Sequence, residues 1–250
     1  MSSWEDKVVI ITGGAAGIGR ATAMLLADVG ARVLVTGRRS EPLKRVTENR
    51  DNMDFILADA AKPEDAYRTI ATVIERWGRL DVLVNNAGAG ALLPLEAATP
   101  TAITEIFAAN VFGPSLLATA ALSYLKASRG NIVNVSSTFG HKAAAGLSHY
   151  AASKAAVEHM TRCWALELAD QGVRVNAVAP GPTETDFLIE RMRLSNEEAE
   201  AVKAQERSRI PLGRRGLPEE VASWIVALAS DAGGWVTGQI ITVDGGLSIS

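Results

Sequence analysis

The stretch KVVIITGGAAGIGRATAMLL, residues 7–26, runs from a short apolar segment through a glycine-rich turn into a helical pattern. The apolar segment predicts a buried strand, and the spacing of the apolar residues after the turn predicts an amphipathic helix. Gly13, Gly17 and Gly19 let the backbone approach a pyrophosphate, which the amide groups and positive end of the helix can hold. We therefore expect a dinucleotide-binding loop, with ordinary turn glycines as the alternative. No Gly-Lys-Ser/Thr follows, which argues against a nucleoside-triphosphate loop.

Further apolar, β-branched runs follow along the chain: RVLVTG, MDFILAD, LDVLVNN, NIVNVSS, VRVNAVAP and QIITVDG. Each is typical of a strand buried on both faces, and stretches with helical spacing lie between them. This alternation predicts an α/β fold, a doubly wound parallel sheet (Rossmann fold) of about seven strands with helices on both faces. No linker, repeat or low-complexity tract divides the chain, so we expect one dinucleotide-binding and catalytic domain over residues 1–250.

A polar, charge-rich insertion at about residues 186–212 separates the last two predicted strands. It has two interpretations, a solvated pair of helices or a lid over the substrate. We favour the lid because the insertion follows the carboxyl end of a strand, where ligands bind in sheets of this kind.

The composition points to one compact domain, with 48% hydrophobic and 21% charged residues. A net charge of -3 gives no general attraction to nucleic acid or to an anionic membrane. The amino-terminal residues resemble neither a secretion signal nor a membrane span, so we expect a cytoplasmic protein. The single cysteine, Cys163, is predicted to be a buried, inert thiol. No metal-ligand spacing is present, so we expect no metal site.

The stretch SHYAASKAA, residues 148–156, places Tyr150 four positions before Lys154. Residues four apart share a helix face, so the phenol and the ammonium are expected to reach one site. The alanines and serines around them would let a large ligand approach closely.

These features occur in a fixed order with several others: Thr12-Gly-Gly-Ala-Ala-Gly-Ile-Gly19, NNAG at 85–88, Asn110, Ser137, Tyr150-Ala-Ala-Ser-Lys154 and PG at 180–181. The joint pattern resembles the short-chain dehydrogenase/reductase family, and the ending VTGQIITVDGG extends the likeness over nearly the whole chain. The glycine spacing and the length are similar to those of the shorter, oxidoreductase branch rather than the longer sugar-nucleotide epimerase branch.

The resemblance implies a set of catalytic roles. Tyr150 would be the general acid/base, Lys154 its helper and Ser137 the residue that holds the substrate oxygen, while Asn110 would support a water chain. The chemistry agrees, because a free phenol has a pKa of about 10 and a nearby cation favours the phenolate.

Alternatives to these assignments come from neighbouring residues. Tyr150 and Lys154 could instead be an exposed helix pair. Ser136 could exchange roles with Ser137, although the family spacing selects Ser137. His149 stands beside Tyr150 but is expected at the pocket rim or surface, because its side chain does not point where the tyrosine does.

The resemblance also implies the cofactor contacts, which lie in the glycine loop, at strand ends and on the catalytic helix: Gly13, Ala16, Gly17, Ile18, Gly19, Asp59, Asn86, Ala87, Gly88, Tyr150, Lys154, Pro180, Gly181, Thr183 and Thr185. Asp59 could instead cap a loop, and Thr185 could cap the lid helix.

The choice of dinucleotide depends on VLVTGRRSEP, residues 33–42. An NAD enzyme typically has Asp or Glu at the end of the second strand, about 20 residues past the glycine loop, to bind the ribose 2′-hydroxyl. This chain has Gly37 there, followed by Arg38 and Arg39, which suit a 2′-phosphate. We therefore predict NADP(H) rather than NAD(H), chiefly through Arg38. Two solvent-facing arginines are the alternative, because the glycine loop itself lacks a supporting basic residue.

The functional hypothesis is an NADPH-dependent carbonyl reductase or alcohol dehydrogenase acting on a small-to-medium apolar substrate. A 3-oxoacyl-thioester reductase of acyl-carrier-protein type is the alternative, with Lys126 and Arg129 available for an acidic carrier and Asp170-Gln171 against one. A catalytically idle dinucleotide-binding protein is less favoured. The resemblance further implies a homotetramer. The candidate pocket walls are apolar: Ala89, Leu92, Leu93, Phe139, Leu147, Phe187 and Leu188.

Overall fold

The computed structural model describes residues 4–190, 192 and 194–250. They contain a parallel sheet of seven strands in the order β3-β2-β1-β4-β5-β6-β7. The strands are β1 (Val8–Thr12), β2 (Arg32–Gly37), β3 (Met53–Leu57), β4 (Val82–Asn85), β5 (Asn131–Val135), β6 (Arg174–Pro180) and β7 (Ile240–Val243). Each strand lies within one of the apolar runs that predicted it, so the predicted fold class is confirmed.

Helices cover both faces of this sheet. They are α1 (Gly17–Asp28), α2 (Ser40–Thr47), α3 (Pro63–Trp77), α4 (Pro100–Phe107), α5 (Gly113–Ser128), α6 (Ser148–Leu168), α7 (Phe187–Glu190), α8 (Asn196–Arg209) and α9 (Pro218–Ala229). Core residues of α1, α2 and α9 cluster on one face, and those of α3, α5 and α6 cluster on the other.

The continuous apolar runs follow from this two-sided covering. Successive side chains of a strand point to opposite faces, so Ile11 joins the core cluster of one face and Ile10 joins that of the other. Both side chains are fully buried, and each such burial stabilises the fold by about 1.5 to 3 kcal/mol.

The strand order indicates where on the sheet a ligand is expected to bind. Strand β1 pairs with β2 on one side and with β4 on the other, so the chain's crossovers diverge at β1. In open α/β sheets, ligands bind at the carboxyl ends of the strands where the order reverses in this way. The glycine-rich turn, between β1 and α1, lies at this point.

The helical run Pro100–Ser128 is long and apolar enough to cross a membrane, judged by length and composition alone. It comprises α4, a π-helical turn at Ala108–Phe112, and α5. Leu117 and Leu125 of α5 belong to the core cluster that also contains residues of α3, so one side of α5 packs against the core.

The insertion at 186–212 contains α7 and α8, although residues 191 and 193 lie outside the described residues. Helix α8 begins at a capping box, in which Ser195 and Glu198 bind each other's backbone N–H groups. The prediction of a buried Cys163 was wrong. The thiol is exposed, because position 163 lies on the outward face of α6 with Leu166, which is 84% exposed.

Candidate active site

A groove runs across the carboxyl ends of the strands at the reversal point. One half encloses about 1170 Å³ and contains Ser137, Tyr150 and Lys154. The adjoining half encloses about 1600 Å³ and contains Arg38 and Asp59. The two halves share wall residues from the glycine turn and from the segment after β4, so they form one elongated site.

Most of the predicted site residues line this groove. The half with the tyrosine is lined by Gly13, Ala16, Gly17, Ile18, Asn86, Ala87, Gly88, Ser137, Tyr150, Lys154, Pro180, Gly181, Thr183 and Thr185. The other half is lined by Gly13, Arg38, Asp59, Ala87 and Gly88. Gly19, Arg39 and Asn110 are not among the residues that line either half.

The glycine turn is shaped for close approach of a phosphate group. Gly17 has a φ of +51°, a conformation that favours glycine. A Cβ on Gly19 would lie 2.4 Å from Nδ2 of Asn86 and 2.5 Å from the carbonyl oxygen of Gly13. The Thr12 hydroxyl accepts the backbone N–H groups of residues 86 and 87, which ties the turn to the segment after β4. The cradle fits a dinucleotide pyrophosphate at the amino end of α1.

Tyr150 and Lys154 both lie in the first two turns of α6 and are buried at the groove. The Lys154 ammonium lies 5.9 Å from the centre of the Tyr150 ring and donates to the Val135 carbonyl at 2.8 Å. They therefore share one face and one site, as their spacing predicted, and do not form an exposed helix pair.

Burial shifts the pKa of both members of this pair. Burial lowers the pKa of the Lys154 ammonium to about 8. Burial also raises the pKa of the Tyr150 phenol, and the hydrogen bond with Ser137 offsets part of that rise. The sequence suggested that the lysine would favour the phenolate; in the structure, burial is the largest cause of the pKa shift and favours the neutral phenol. The phenol is therefore held protonated, the state required of a proton donor.

The two candidate serines, Ser136 and Ser137, differ in their hydrogen-bond partners. Ser136 donates to the buried Glu158 carboxylate at 2.9 Å, and Glu158 also contacts Nδ1 of His141 at 3.0 Å. Ser137, in contrast, lies beside Tyr150, and its hydroxyl accepts the N–H of Phe139 at 3.2 Å. This geometry favours Ser137 as the residue that meets the substrate.

Asn110 lies in the π-helical turn and is 1% exposed. Its side chain accepts the Ala89 N–H at 2.8 Å and donates to the Ala89 carbonyl and to the Ser153 hydroxyl, each at 2.9 Å. The side chain thus clamps one wall of the groove to the catalytic helix, and its predicted support of a water chain stays a prediction.

Two residues show both of the roles that the sequence left open. Asp59 lines the groove and also accepts the N–H of Ala61 at 3.1 Å, as a loop cap does. Thr185 lines the groove, and its hydroxyl accepts the N–H of Phe187 at 3.4 Å, at the start of α7.

The two arginines after β2 have different surroundings. Arg38 is exposed, lines the groove and makes no ion pair with another described residue. Arg39 pairs with Glu190 of α7, with Nη2 at 2.9 Å from both carboxylate oxygens. Arg38 is therefore the better placed of the two to meet a ligand phosphate.

The predicted apolar walls are partly correct. Ala89, Phe139, Phe187 and Leu188 line the groove, whereas Leu92, Leu93 and Leu147 are not among the lining residues. Sequence reasoning missed several others that line it: Asp186, Glu190, Met192, Glu206 and Arg215. The only feature of the sequence that could have indicated a place in the groove is their position, because all of them except Arg215 lie within the predicted lid.

His149 is partly exposed, in keeping with the expected rim position, but its Nε2 is buried and has no hydrogen-bond partner among the described residues. Within those residues, no group of three His, Cys, Asp or Glu side chains could hold a metal ion.

Comparison with known proteins places this geometry in a family. The family model described as enoyl-(acyl carrier protein) reductase matches residues 13–248. A 3-oxoacyl-[acyl-carrier-protein] reductase of Thermotoga maritima is 39% identical, with 98% of this chain and 99% of that protein covered. The L-fucose dehydrogenase of Oryctolagus cuniculus is 35% identical, with 98% and 86% covered.

A solved structure shares the architecture. It is a short-chain dehydrogenase/reductase of unknown function from Caenorhabditis elegans, determined with cofactor, and it is 34% identical with a TM-score of 0.91 over 99% of this chain and 97% of that chain. The predicted family is thereby confirmed. The chain belongs to the short-chain dehydrogenase/reductase family and is an oxidoreductase that uses a nicotinamide dinucleotide to act on hydroxyl or keto groups of small molecules.

Proposed function

We propose that this enzyme is an NADPH-dependent carbonyl reductase or alcohol dehydrogenase that interconverts a small-to-medium apolar ketone and its secondary alcohol. The observation that carries the proposal is that the buried residues Tyr150, Lys154 and Ser137 line one half of a groove with apolar walls. A role in dinucleotide binding alone would not require this acid/base pair.

The proposed roles of the residues follow from their positions. When bound, the dinucleotide supplies or accepts the hydride. Ser137 and Tyr150 donate hydrogen bonds to the substrate carbonyl oxygen, where negative charge grows during reduction, and Tyr150 then transfers its phenolic proton to that oxygen. The Lys154 ammonium, in the same buried site, stabilises the phenolate left behind. Asn110 fixes the groove wall beside them.

The preference for NADP(H) is supported by Gly37, Arg38 and the shape of the groove around them. No carboxylate stands at position 37 to repel a 2′-phosphate, and Arg38 lines the half of the groove that we assign to adenosine. Asp59 lies in the same half, at the end of the segment after β3, where we place the adenine.

The apolar substrate is supported by the residues around Tyr150. The Phe187 ring of α7 lies 6.3 Å from the Tyr150 ring, centre to centre, and Leu188 and Phe139 line the same half of the groove. Helix α7 and helix α8 would act as a lid on this pocket, within a single domain spanning the chain.

Reduction of a 3-oxoacyl thioester is the second candidate, and the 39% identical Thermotoga maritima protein favours it. The basic residues that the sequence suggested as a docking surface for an acidic carrier protein do not add support for this second candidate. Lys126 and Arg129 end α5 just before β5 begins, so within one chain they lie at the amino edge of the sheet, opposite the groove.

Assembly as a homotetramer is supported by exposed large apolar side chains on two parts of the chain. One includes Phe112, beside α5, and Leu166 of α6, which are 55% and 84% exposed. The other includes Trp224 of α9 and Trp235, before β7, the latter fully exposed. Exposed aromatic and aliphatic side chains of this size are typical of association surfaces when they lie together.

The experiment is a panel assay that follows NADPH or NADH consumption with 2-octanone, acetophenone, ethyl acetoacetate and the N-acetylcysteamine thioester of acetoacetate. The proposal expects turnover of simple ketones with NADPH and weaker turnover with NADH. Turnover of the thioester alone would favour the second candidate. Tight NADPH binding without turnover of any substrate would favour a non-catalytic role.

A further inference from the structure

Arg215 is a charged side chain in the wall of the groove, yet its side chain is 3% exposed. Its guanidinium forms an ion pair with Glu206 of α8, donates to the Thr183 carbonyl, and has Nε 3.3 Å from the Glu184 carboxylate. Desolvating a guanidinium is expensive, so a buried arginine persists only where such partners surround it.

The backbone beside Arg215 is already joined to the segment that follows β6. Gly216 and Thr183 form a parallel bridge, in which the Gly216 N–H donates to Pro182 at 3.0 Å and the Glu184 N–H donates to Gly216 at 2.8 Å. The Arg215 side chain adds its contact with the Thr183 carbonyl to this bridge. The backbone of Gly216 and the side chain of Arg215 therefore both hold segment 182–184 in place.

Helix α8 has few other attachments. Ala199 is its one buried residue, so little apolar area holds it to the rest of the protein. Its residue Glu206 is largely buried; burial raises the pKa of this carboxyl, as does Glu184, and the Arg215 guanidinium opposes that rise. The ion pair between Glu206 and Arg215 is thus a main attachment of α8.

We infer that Arg215 is a positioning residue that holds α8 against segment 182–184 and thereby fixes two walls of the groove relative to each other. Thr183 and Glu206 both line the groove, so a change in their separation changes the space for dinucleotide and substrate. The inference rests on the proposed function in one respect: the test that measures a KM for a ketone assumes that the enzyme reduces ketones.

The test compares Glu206→Gln and the double variant Arg215→Met/Glu206→Gln with the wild type. The double variant leaves no unpaired buried carboxylate, whereas Arg215→Met alone could fail to fold. Three quantities are measured: NADPH dissociation constant by fluorescence, amide hydrogen exchange of α8, and KM and kcat for a ketone from the panel. Arg50→Met is the matched control, since Arg50 pairs with Asp28 of α1 and lines neither half of the groove.

Glu206→Gln is expected to speed exchange in α8 and raise the ketone KM, with a smaller change in the NADPH dissociation constant than in the double variant because the Thr183 contact remains. The double variant should raise both the dissociation constant and the KM by about tenfold, the scale of one lost charge-assisted hydrogen bond, with kcat little changed. Arg50→Met should alter none of the three.

Wild-type α8 exchange in both variants would overturn the inference, as would a fall in kcat alone, which would assign Arg215 to the chemistry. If the double variant does not fold, unchanged exchange in Glu206→Gln still overturns it. Binding and exchange require no turnover, so a wild type that reduces no ketone would count against the proposed function and leave these two tests of Arg215 intact.

Discussion

Replacing Lys154 by Met should stabilise the folded protein near neutral pH while damaging its function. The Lys154 side chain is buried, and its pKa of about 8 compares with an ordinary value of 10.5. That difference means that the fold disfavours the charged lysine by about 3 kcal/mol. Methionine removes this cost but also removes the hydrogen bond to the Val135 carbonyl, which contributes about 1 kcal/mol. The variant should therefore be more stable by about 2 kcal/mol at pH 7.

The sign of the effect changes with pH. Below pH 8 the lysine is protonated in both folded and unfolded states, so the full cost is present. Between pH 8 and 10.5 the unfolded state binds more protons, so wild-type stability rises with pH and the advantage of the variant shrinks and then reverses.

The assay is urea unfolding of the dinucleotide-free protein from about pH 6.5 to 10, at fixed protein concentration, for wild type and variant. Other titrating groups are common to both proteins, so the difference in unfolding free energy isolates Lys154. Lys62→Met is the control for the loss of a lysine from an exposed position. A flat difference for Lys154→Met, or a variant less stable than wild type at pH 7, would refute the reasoning.

Three further outcomes are expected. Gly37→Asp/Arg38→Leu should move the ratio of catalytic efficiencies toward NADH by roughly 10- to 100-fold, and an unchanged ratio would show that these residues do not set the choice. A Cβ on Gly37 meets nothing closer than 3.6 Å, so the backbone there admits a side chain. Light scattering at micromolar concentration should give a tetramer, and Leu166→Arg should shift it to smaller species; a monomer mass for wild type contradicts the proposed assembly. Gly19→Ala should abolish NADPH binding and cost about 1 to 3 kcal/mol of stability by urea unfolding, since its Cβ would meet backbone at 2.5 Å, whereas Gly216→Ala, with no neighbour closer than 3.7 Å, should cost less.

The strands could be predicted from the sequence because each strand of a parallel sheet that is covered on both faces is a continuous run of apolar residues. Ile10 and Ile11 face opposite cores, so their run is apolar at every position and needs no knowledge of distant residues. The pair Tyr150 and Lys154 was equally accessible, because four positions along one helix determine a shared face.

The missed features depend on contacts between distant parts of the chain. Arg39 pairs with Glu190, 151 positions away, so nothing near Arg39 in the sequence showed that it was engaged. Arg215 lies in a charged stretch without periodicity, where solvent exposure is the natural expectation. The pKa of Tyr150 follows from how completely the fold buries it, and no spacing rule reports that.

The role of Tyr150 as the acid that protonates the substrate oxygen is tested most directly by single-turnover reduction of a ketone by Tyr150→Phe with saturating NADPH. Phenylalanine preserves the ring and removes only the hydroxyl, so the NADPH dissociation constant, measured by fluorescence, should stay within about twofold of wild type while the rate falls by roughly 100-fold or more. A rate close to that of wild type, with NADPH bound equally well, would contradict the assignment of Tyr150 as the proton donor.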